Sequence, residues 1–143
     1  MFLPQTAEYG LRAMAQMASR GAGVSVRTKD LAEQTQIPAH YLSKIMRRLV
    51  AAGVLESEKG HGGGFRFARP LHRIRFADVL EACGFEIEPN RCAFGLGQCN
   101  LKNPCLLHPS FSELNGAIRQ WAAKTTLQDV ADGTTPIRFV PGA

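Results

Sequence analysis

The 143-residue chain lacks several features that define common protein classes. No uninterrupted apolar run approaches the roughly 20 residues needed to span a bilayer, although 45% of the residues are apolar. The first residues show no basic segment followed by an apolar run and a small-residue cleavage site, so we expect no export. A chain of this length also has no room for a second, enzyme-sized domain. We therefore expect a single cytoplasmic domain with its own core and no membrane partner.

The motifs of two enzyme classes are also incomplete. The segment HGGG at 61–64 occurs in the oxyanion loops of lipases, but the chain has no G-x-S-x-G nucleophile motif. The same glycines lack the Lys-Ser/Thr ending of a phosphate-binding loop. No paired acid/base carboxylates stand beside the clustered cysteines of the chain. The sequence therefore predicts that this protein is not an enzyme.

Cysteine is scarce, but three of the four cysteines fall in one segment. It reads C-AFGLGQ-C-NLKNP-C-LL-H from Cys92 through Cys99 and Cys105 to His108, and its glycines and proline favour a loop. Thiolates and imidazole bind zinc and iron–sulfur clusters, whereas a hard cation needs carboxylates that this loop lacks. Disulfides are rare in the cytosol, so the loop predicts a soft-metal or cluster site. Cys83 lies in an apolar run and is expected to be a core residue.

The net charge of +5 is unevenly distributed. Residues 1–75 hold 12 Lys/Arg against 5 Asp/Glu, whereas residues 76–143 hold 5 against 7. The first half is therefore expected to meet a polyanion. Basicity alone fits either nucleic acid or an anionic membrane surface, so the arrangement of the charges has to decide between them.

Apolar periodicity predicts three helices in the first 53 residues. The first runs over about 5–19, with apolar residues at spacings of three and four. Thr28 is expected to cap the second helix, after a short strand at 24–26. Pro38 suits the first turn of the third helix, which is expected to end at Gly53. The second and third helices then form a helix–turn–helix pair.

The third helix has two chemically different faces. Its apolar side consists of Leu42, Ile45, Met46 and Leu49. The opposite side is basic and consists of His40, Ser43, Lys44, Arg47 and Arg48. A basic exposed face is often only solvated, but the second helix of a helix–turn–helix docks in the major groove of DNA. We therefore expect this face to contact DNA.

A glycine-rich hairpin is predicted next, at 54–70. Two short extended runs flank the glycines, and Phe65 and Phe67 alternate with Arg66. This is the pattern of a β-hairpin wing, whose cations suit phosphate or minor-groove contacts. The residues expected to contact DNA are Thr28, His40, Tyr41, Ser43, Lys44, Arg47, Lys59, His61 and Arg66.

The C-terminal half is expected to hold a short helix from Arg75, packed beneath the wing, and a long helix opened by Pro109. Apolar residues of the long helix recur at steps of 3, 4 and 3, as in a self-association seam. We therefore expect a homodimer. The seam consists of Phe111, Leu114, Ile118 and Trp121.

The predicted fold is mainly α with a small β-hairpin wing, an α+β class. Four divisions are expected along the chain. They are a winged helix-turn-helix DNA-binding domain at 1–82, a cysteine-rich cluster-binding loop at 83–108, a dimerisation helix at 109–132 and a disordered tail at 133–143.

With these features in place, the chain resembles the IscR/NsrR-type bacterial iron–sulfur winged-helix transcriptional regulators over about residues 1–132. The resemblance rests on the order of three elements: DLAEQTQIPAHYLSKIMRRLVAAGVLESEKGHGGGFRFAR, the three-cysteine loop, and CLLHPSFSELNGAIRQWAAKTTLQDV. It implies a homodimer that binds double-stranded operator DNA, expected here to be a repressor. It also implies an iron–sulfur cluster, [2Fe-2S] favoured over [4Fe-4S], that reports redox state, nitric oxide or iron–sulfur status.

The resemblance implies that Cys92, Cys99 and Cys105 hold this cluster, and it offers two fourth ligands. His108 matches the histidine of the cluster-assembly regulators, and Glu8 of the partner subunit matches the acid of the nitric-oxide sensors. We favour His108, because CLLHP matches locally. Ser43 stands where the assembly regulator has glutamate, so the operator is expected to differ. The alternatives are a winged-helix regulator with structural zinc, or one with redox-active cysteines and no cluster.

Overall fold

The computed structural model describes residues 3–60 and 63–133. Within these ranges the chain forms six α-helices and one two-stranded antiparallel hairpin, which confirms the predicted α+β class. No helix in them combines the length and hydropathy that crossing a bilayer requires. The elements are α1 (Gln5–Ala18), α2 (Thr28–Thr35), α3 (Ala39–Ala51), β1 (Leu55–Glu58), β2 (Gly64–Phe67), a 3₁₀ turn (Leu71–Arg73), α4 (Phe76–Ala82), α5 (His108–Lys124) and α6 (Leu127–Ala131).

Helices α1, α2 and α3 share one apolar core, because each carries its apolar residues on one side. The predicted apolar face of α3 is confirmed, since all four of its residues are at most 1% exposed. Met14 and Met17 of α1 are buried against the same core. Gly53 follows α3 with a φ of 76°, a left-handed conformation that glycine adopts without strain. The predicted end of this helix is therefore confirmed.

Thr28 does not cap α2, contrary to the prediction. It is the first helical residue, and Arg27 occupies the cap position. The carbonyl of Arg27 accepts the N–H of Leu31 at 3.0 Å, which starts the helix one residue earlier than a Thr28 cap would allow.

The hairpin pairs Leu55 with Phe67 and Glu56 with Arg66. Strand alternation buries Leu55 and Phe67 and exposes Arg66, as the sequence indicated. The strand predicted at 24–26 is reduced to one bridge, in which Val26 and Phe65 exchange two backbone hydrogen bonds of 2.8 Å. A Cβ on Gly64 would collide with the Val26 backbone, so this crossing requires glycine.

Helix α4 packs mainly against α1 and α5 rather than beneath the wing as predicted. The contact with α1 is close, because Cys83 at the end of α4 faces Gly10. Cys83 is 5% exposed, which confirms it as a core residue, and burial raises its pKa to about 11.

The helix predicted over 109–132 is two helices. Helix α5 ends at Lys124, Thr125 is extended, and Thr126 caps α6. The Thr126 hydroxyl accepts the Asp129 N–H at 3.3 Å, and the Asp129 carboxylate accepts the Thr126 N–H at 2.8 Å. The helical spacing of apolar residues gave no sign of this break. The sequence did contain a signal for it, because a threonine followed three residues later by an acid, here Thr126 and Asp129, is a capping box.

Helix α6 returns to the core of the winged helix. Leu127 is 0% exposed, and its N–H donates to the Ile74 carbonyl at 2.9 Å. The Phe76 N–H donates to the Thr125 carbonyl at the same distance. The C-terminal end of α5 is thereby attached to the start of α4.

Candidate nucleic-acid interface and cysteine loop

The exposed side of α3 is basic. His40, Lys44 and Arg47 are exposed, and Ser43 is half-buried with its hydroxyl donating to the Ala39 carbonyl at 2.9 Å. The prediction that these four side chains share one face is consistent with this arrangement. With the apolar side fully buried, the face is free to enter a groove about 12 Å wide.

Tyr41 points towards α1 instead of towards the basic face. Its hydroxyl lies 3.0 Å from the Thr6 Oγ1, and its ring packs edge-to-face against Tyr9 with centroids 5.4 Å apart. Tyr41 therefore makes a structural contact between α1 and α3, and the DNA contact expected of it stays a prediction. The packing is possible because residue 41 lies at the edge between the buried and exposed sides of α3.

Arg48 also leaves the basic face. Its Nη1 donates to the Cys83 carbonyl at 3.3 Å, at the C-terminal end of α4. Cations are favourable there because the last carbonyls of a helix carry partial negative charge. The sequence placed Arg48 correctly on the polar side of α3 but gave no sign of this partner, which is 35 residues away.

The wing cation Arg66 is held by two carboxylates. Its Nε is hydrogen-bonded to the Glu56 Oε1, and its Nη1 lies 2.9 Å from the Glu58 Oε1. The hydrogen bond and charge of Glu56, with the charge of Glu58, raise the pKa of Arg66. Lys59 is exposed at the end of β1. His61 and the predicted tail from 134 lie outside the described residues.

The first part of the cysteine loop folds back on itself through one isolated antiparallel bridge, between Arg91 and Gln98. The Cys92 N–H donates to the Gly97 carbonyl at 2.8 Å, and the Cys99 N–H donates to the Asn90 carbonyl at 2.7 Å. Gly97 has a φ of 85°, which glycine allows at this turn. The Asn115 side chain of α5 donates to the Glu88 carbonyl at 2.8 Å, just before the loop. These backbone hydrogen bonds therefore bring two of the three predicted ligands into neighbouring segments joined by one isolated antiparallel bridge, and Asn115 attaches the preceding residues to α5.

The three loop cysteines are free thiols in different electrostatic settings. Hydrogen bonds from the backbone of Leu96 and Phe94 lower the pKa of Cys92. Desolvation raises the pKa of Cys99, and so do the charges of Cys92 and Cys105. The thiols of the loop are thus close enough to interact electrostatically.

The predicted ligands are not gathered into a metal site. In the described ranges, no three His, Cys, Asp or Glu side chains are arranged to hold a metal ion. The His108 N–H donates to the Cys105 carbonyl at 3.1 Å where α5 begins. Glu8 is half-buried on α1. The donor types of the loop fit a cluster or zinc, and the ligand set remains a prediction.

Helix α5 has an incompletely covered apolar face. Of its 17 residues, one, Ala122, is buried by this chain. Leu114 and Trp121 are 49% and 42% exposed, although Trp121 also packs edge-to-face against Phe76 at 5.3 Å. Four apolar side chains of the adjoining loop are even more exposed: Phe94, Leu96, Leu101 and Leu106. An apolar helix face left exposed in this way is a candidate interaction site.

Comparison with known proteins identifies the family. A family model named Rrf2 and described as an iron-dependent transcriptional regulator matches residues 3–133. The chain belongs to the Rrf2 family. This membership confirms the resemblance to IscR-type winged-helix regulators. An Rrf2 protein is a transcriptional regulator rather than an enzyme, as the sequence predicted.

Individual relatives agree with this assignment. A helix–turn–helix transcriptional regulator of Mycobacterium tuberculosis is 35% identical over 137 residues, which cover 95% of this chain and 84% of the relative. The regulator IscR of Vibrio parahaemolyticus is 28% identical over 130 residues, covering 91% and 77%. The structure of CymR, the global cysteine regulator of B. subtilis, superposes with a TM-score of 0.79 at 21% identity, covering 94% of this chain and 99% of CymR. The last similarity shows the winged-helix fold alone.

Proposed function

We propose that this Rrf2 regulator is a cytoplasmic homodimeric repressor of double-stranded operator DNA, controlled by an iron–sulfur cluster. The observation that carries the proposal is a loop of three free thiols, attached to the elements that hold the DNA-reading helix. Thiolates are the usual cluster ligands, and the family description names iron dependence. A cluster of this kind supplies sensitivity to redox state or nitric oxide when it is bound.

The proposed ligands are Cys92, Cys99, Cys105 and His108, with Glu8 of the partner subunit as the alternative to His108. Their chemistry supports the assignment, because all three thiols are free and two of them, Cys92 and Cys99, lie in neighbouring segments joined by backbone hydrogen bonds. A [2Fe-2S] cluster is favoured over [4Fe-4S] by the resemblance to IscR. Structural zinc and cluster-free redox cysteines are the competing outcomes.

The proposed DNA surface combines the exposed face of α3 with the tip of the wing. Base contacts are assigned to Ser43 and Arg47, and phosphate contacts to His40, Lys44 and Lys59. Phosphate contacts release counterions, so losing one lysine should weaken binding to every sequence and lower the salt slope by about one. Substituting Arg47 should instead change the preferred operator, costing about 1–3 kcal/mol at one base pair.

Homodimerisation is assigned to the apolar face of α5. A winged-helix dimer reads two half-sites about one helical turn apart, so the relative position of the two α3 helices decides the fit. Within one chain, the loop is connected to α3 through α4. Arg48 connects α3 to the end of α4, and α5 is attached to the start of α4 through Thr125 and Leu127. A change in loop conformation would thereby alter the placement of α3.

Anaerobic purification followed by absorption spectra and iron, sulfide and zinc analysis tests the cofactor. The expected result is a coloured protein whose iron and sulfide are lost in the serine variants of the three loop cysteines. Cys83→Ala is the matched control, because this thiol is buried in the core between α1 and α4 and is not a proposed ligand. A colourless protein that contains zinc, or none of these metals, would reject the cluster.

The fourth ligand is tested by comparing His108→Ala with Glu8→Ala. If His108 is the ligand, its alanine variant should change the spectrum or the lability of the cluster, whereas Glu8→Ala should not. The opposite result would assign Glu8. Operator affinity is then measured with and without cluster, and equal affinity would remove the regulatory role proposed here.

A further inference from the structure

The outer face of the hairpin is not basic, although the first half of the chain is. Glu56 is paired directly with Arg66, and Glu58 lies two residues further along the same strand. Residues two apart on a strand share a face, so the three side chains project together. The other face carries Leu55 and Phe67, which are buried in the core. The solvent side of the wing therefore presents two carboxylates and one guanidinium.

These charges are arranged so that the carboxylates engage the guanidinium from two sides. Arg66 binds Glu56 through its Nε and Glu58 through its Nη1, the latter at 2.9 Å. Planar guanidinium groups bind carboxylate and phosphate with the same donors. A DNA phosphate would therefore have to compete with both glutamates for Arg66, while the glutamates repel the phosphate.

We infer that Glu56 and Glu58 determine specificity by acting through Arg66: they keep its guanidinium on the hairpin and prevent the wing strands from binding DNA of any sequence. This inference rests on the proposed DNA surface on α3 and deepens it. Sequence-independent affinity comes from the phosphates that cations neutralise, whereas discrimination comes from base contacts. Keeping Arg66 away from DNA lowers the sequence-independent affinity and leaves the base contacts of α3 in place.

The two glutamates hold Arg66 only weakly, because the three side chains are between 34% and 46% exposed. Exposed ion pairs are weak, and salt screens them over about 8 Å at physiological ionic strength. The expected effect on DNA affinity is accordingly on the order of three- to tenfold, and largest at low salt.

The test measures binding of the full chain to two fluorescent duplexes of about 30 base pairs, long enough for two half-sites. One has mixed sequence, and the other is selected by the wild-type protein from a random pool. Glu56→Gln/Glu58→Gln should bind the mixed duplex roughly three- to tenfold more tightly at about 50 mM salt, with a salt slope larger by about 0.9 for each wing whose Arg66 reaches a phosphate. The affinity for the selected duplex should increase less, so the ratio of the affinities for the selected and mixed duplexes should fall.

The matched control is Glu86→Gln/Glu113→Gln, which removes the same charge from two exposed glutamates outside the hairpin. A second control repeats the hairpin substitutions in an Arg66→Gln background, where no guanidinium can be released. In that background, the hairpin substitutions should increase DNA affinity no more than Glu86→Gln/Glu113→Gln does. Loss of the hairpin fold would weaken binding, so unfolding cannot imitate the expected increase.

Equal binding by the hairpin variant and the Glu86/Glu113 control would overturn the inference. So would an unchanged gain in the Arg66→Gln background, because the glutamates would then act by charge alone. Both results leave α3-dependent DNA binding intact. If wild-type protein selects no duplex at all, the proposed DNA-binding function fails, and the inference fails with it.

Discussion

Replacing Gly10 by alanine tests the closest contact between α1 and α4. Gly10 is buried, and a methyl group built on it would lie much closer to the Cys83 Sγ than the van der Waals contact distance allows, as well as 3.6 Å from the Val79 Cγ1. Overpacking of this kind costs about 1–3 kcal/mol. Alanine also favours the helix by up to about 1 kcal/mol relative to glycine. Because the contact is very close, we expect the overpacking cost to exceed the helix gain, so that Gly10→Ala lowers the free energy of unfolding by about 1–2 kcal/mol.

The clash has one principal partner, so a second substitution should relieve it. Cys83→Ala removes the sulfur, and the Gly10→Ala/Cys83→Ala double variant should be more stable than the two single effects predict, by about 1 kcal/mol or more. Gly116→Ala in α5 is the matched control, because a methyl group there meets no atom within 4 Å. It should be neutral or slightly stabilising.

Urea unfolding of the four proteins and the control, at one fixed protein concentration, measures these effects. Gly10→Ala protein as stable as wild type would contradict the close approach of α1 and α4. Strict additivity of the two substitutions would show that the Cys83 sulfur is not the atom that resists the methyl group.

Three further perturbations test other parts of the structure. Leu127→Ala should cost about 2–5 kcal/mol in urea unfolding, because the side chain is fully buried, and a cost below about 1 kcal/mol would detach α6 from the core. Burial favours a higher pKa for Asp78, but the hydrogen bonds and charge of Arg75 outweigh it and lower the pKa. The stabilisation is therefore present above the ordinary pKa of about 3.9 and is lost as pH falls through the lowered value. Asp78→Asn should accordingly make the melting temperature depend less on pH between about pH 5 and 2. An unchanged profile would contradict the Arg75 contact. Trp121→Ala should weaken the free energy of the proposed dimerisation by about 2 kcal/mol or more in sedimentation equilibrium. Val24→Ala, at a position of similar exposure, should leave it unchanged. Equal effects of the two substitutions would place the interface elsewhere.

Local patterns in the sequence were sufficient for the winged helix. The apolar face of α3 follows from helical spacing, and the burial of Phe67 beside an exposed Arg66 follows from strand alternation. Gly53 ended the third helix as predicted. These features depend on neighbours within a few residues, so a single sequence contains the information for them.

Long-range packing decided what the exposed and half-exposed side chains contact. Periodicity placed Tyr41 and Arg48 on α3, but their partners, Thr6 and the Cys83 carbonyl, are each 35 residues away. The register of the hairpin likewise gave Arg66 a partner, Glu56, that the sequence prediction did not include, while its DNA contact stays a prediction.

The cysteine loop and α5 show the same division between sequence and tertiary structure. Residue types alone predicted three soft ligands in one loop, because donor chemistry belongs to the side chains themselves. Their spacing did not gather them, since no three such groups are arranged as metal ligands in the part of the chain that the structure describes. Likewise, periodicity continued α5 through Thr125, whereas the structure ends it there and buries Leu127 in the core. The sequence determined which surfaces and ligands each segment carries, and the tertiary structure decided their partners, because a repeat orients a side chain only about its own helix or strand axis.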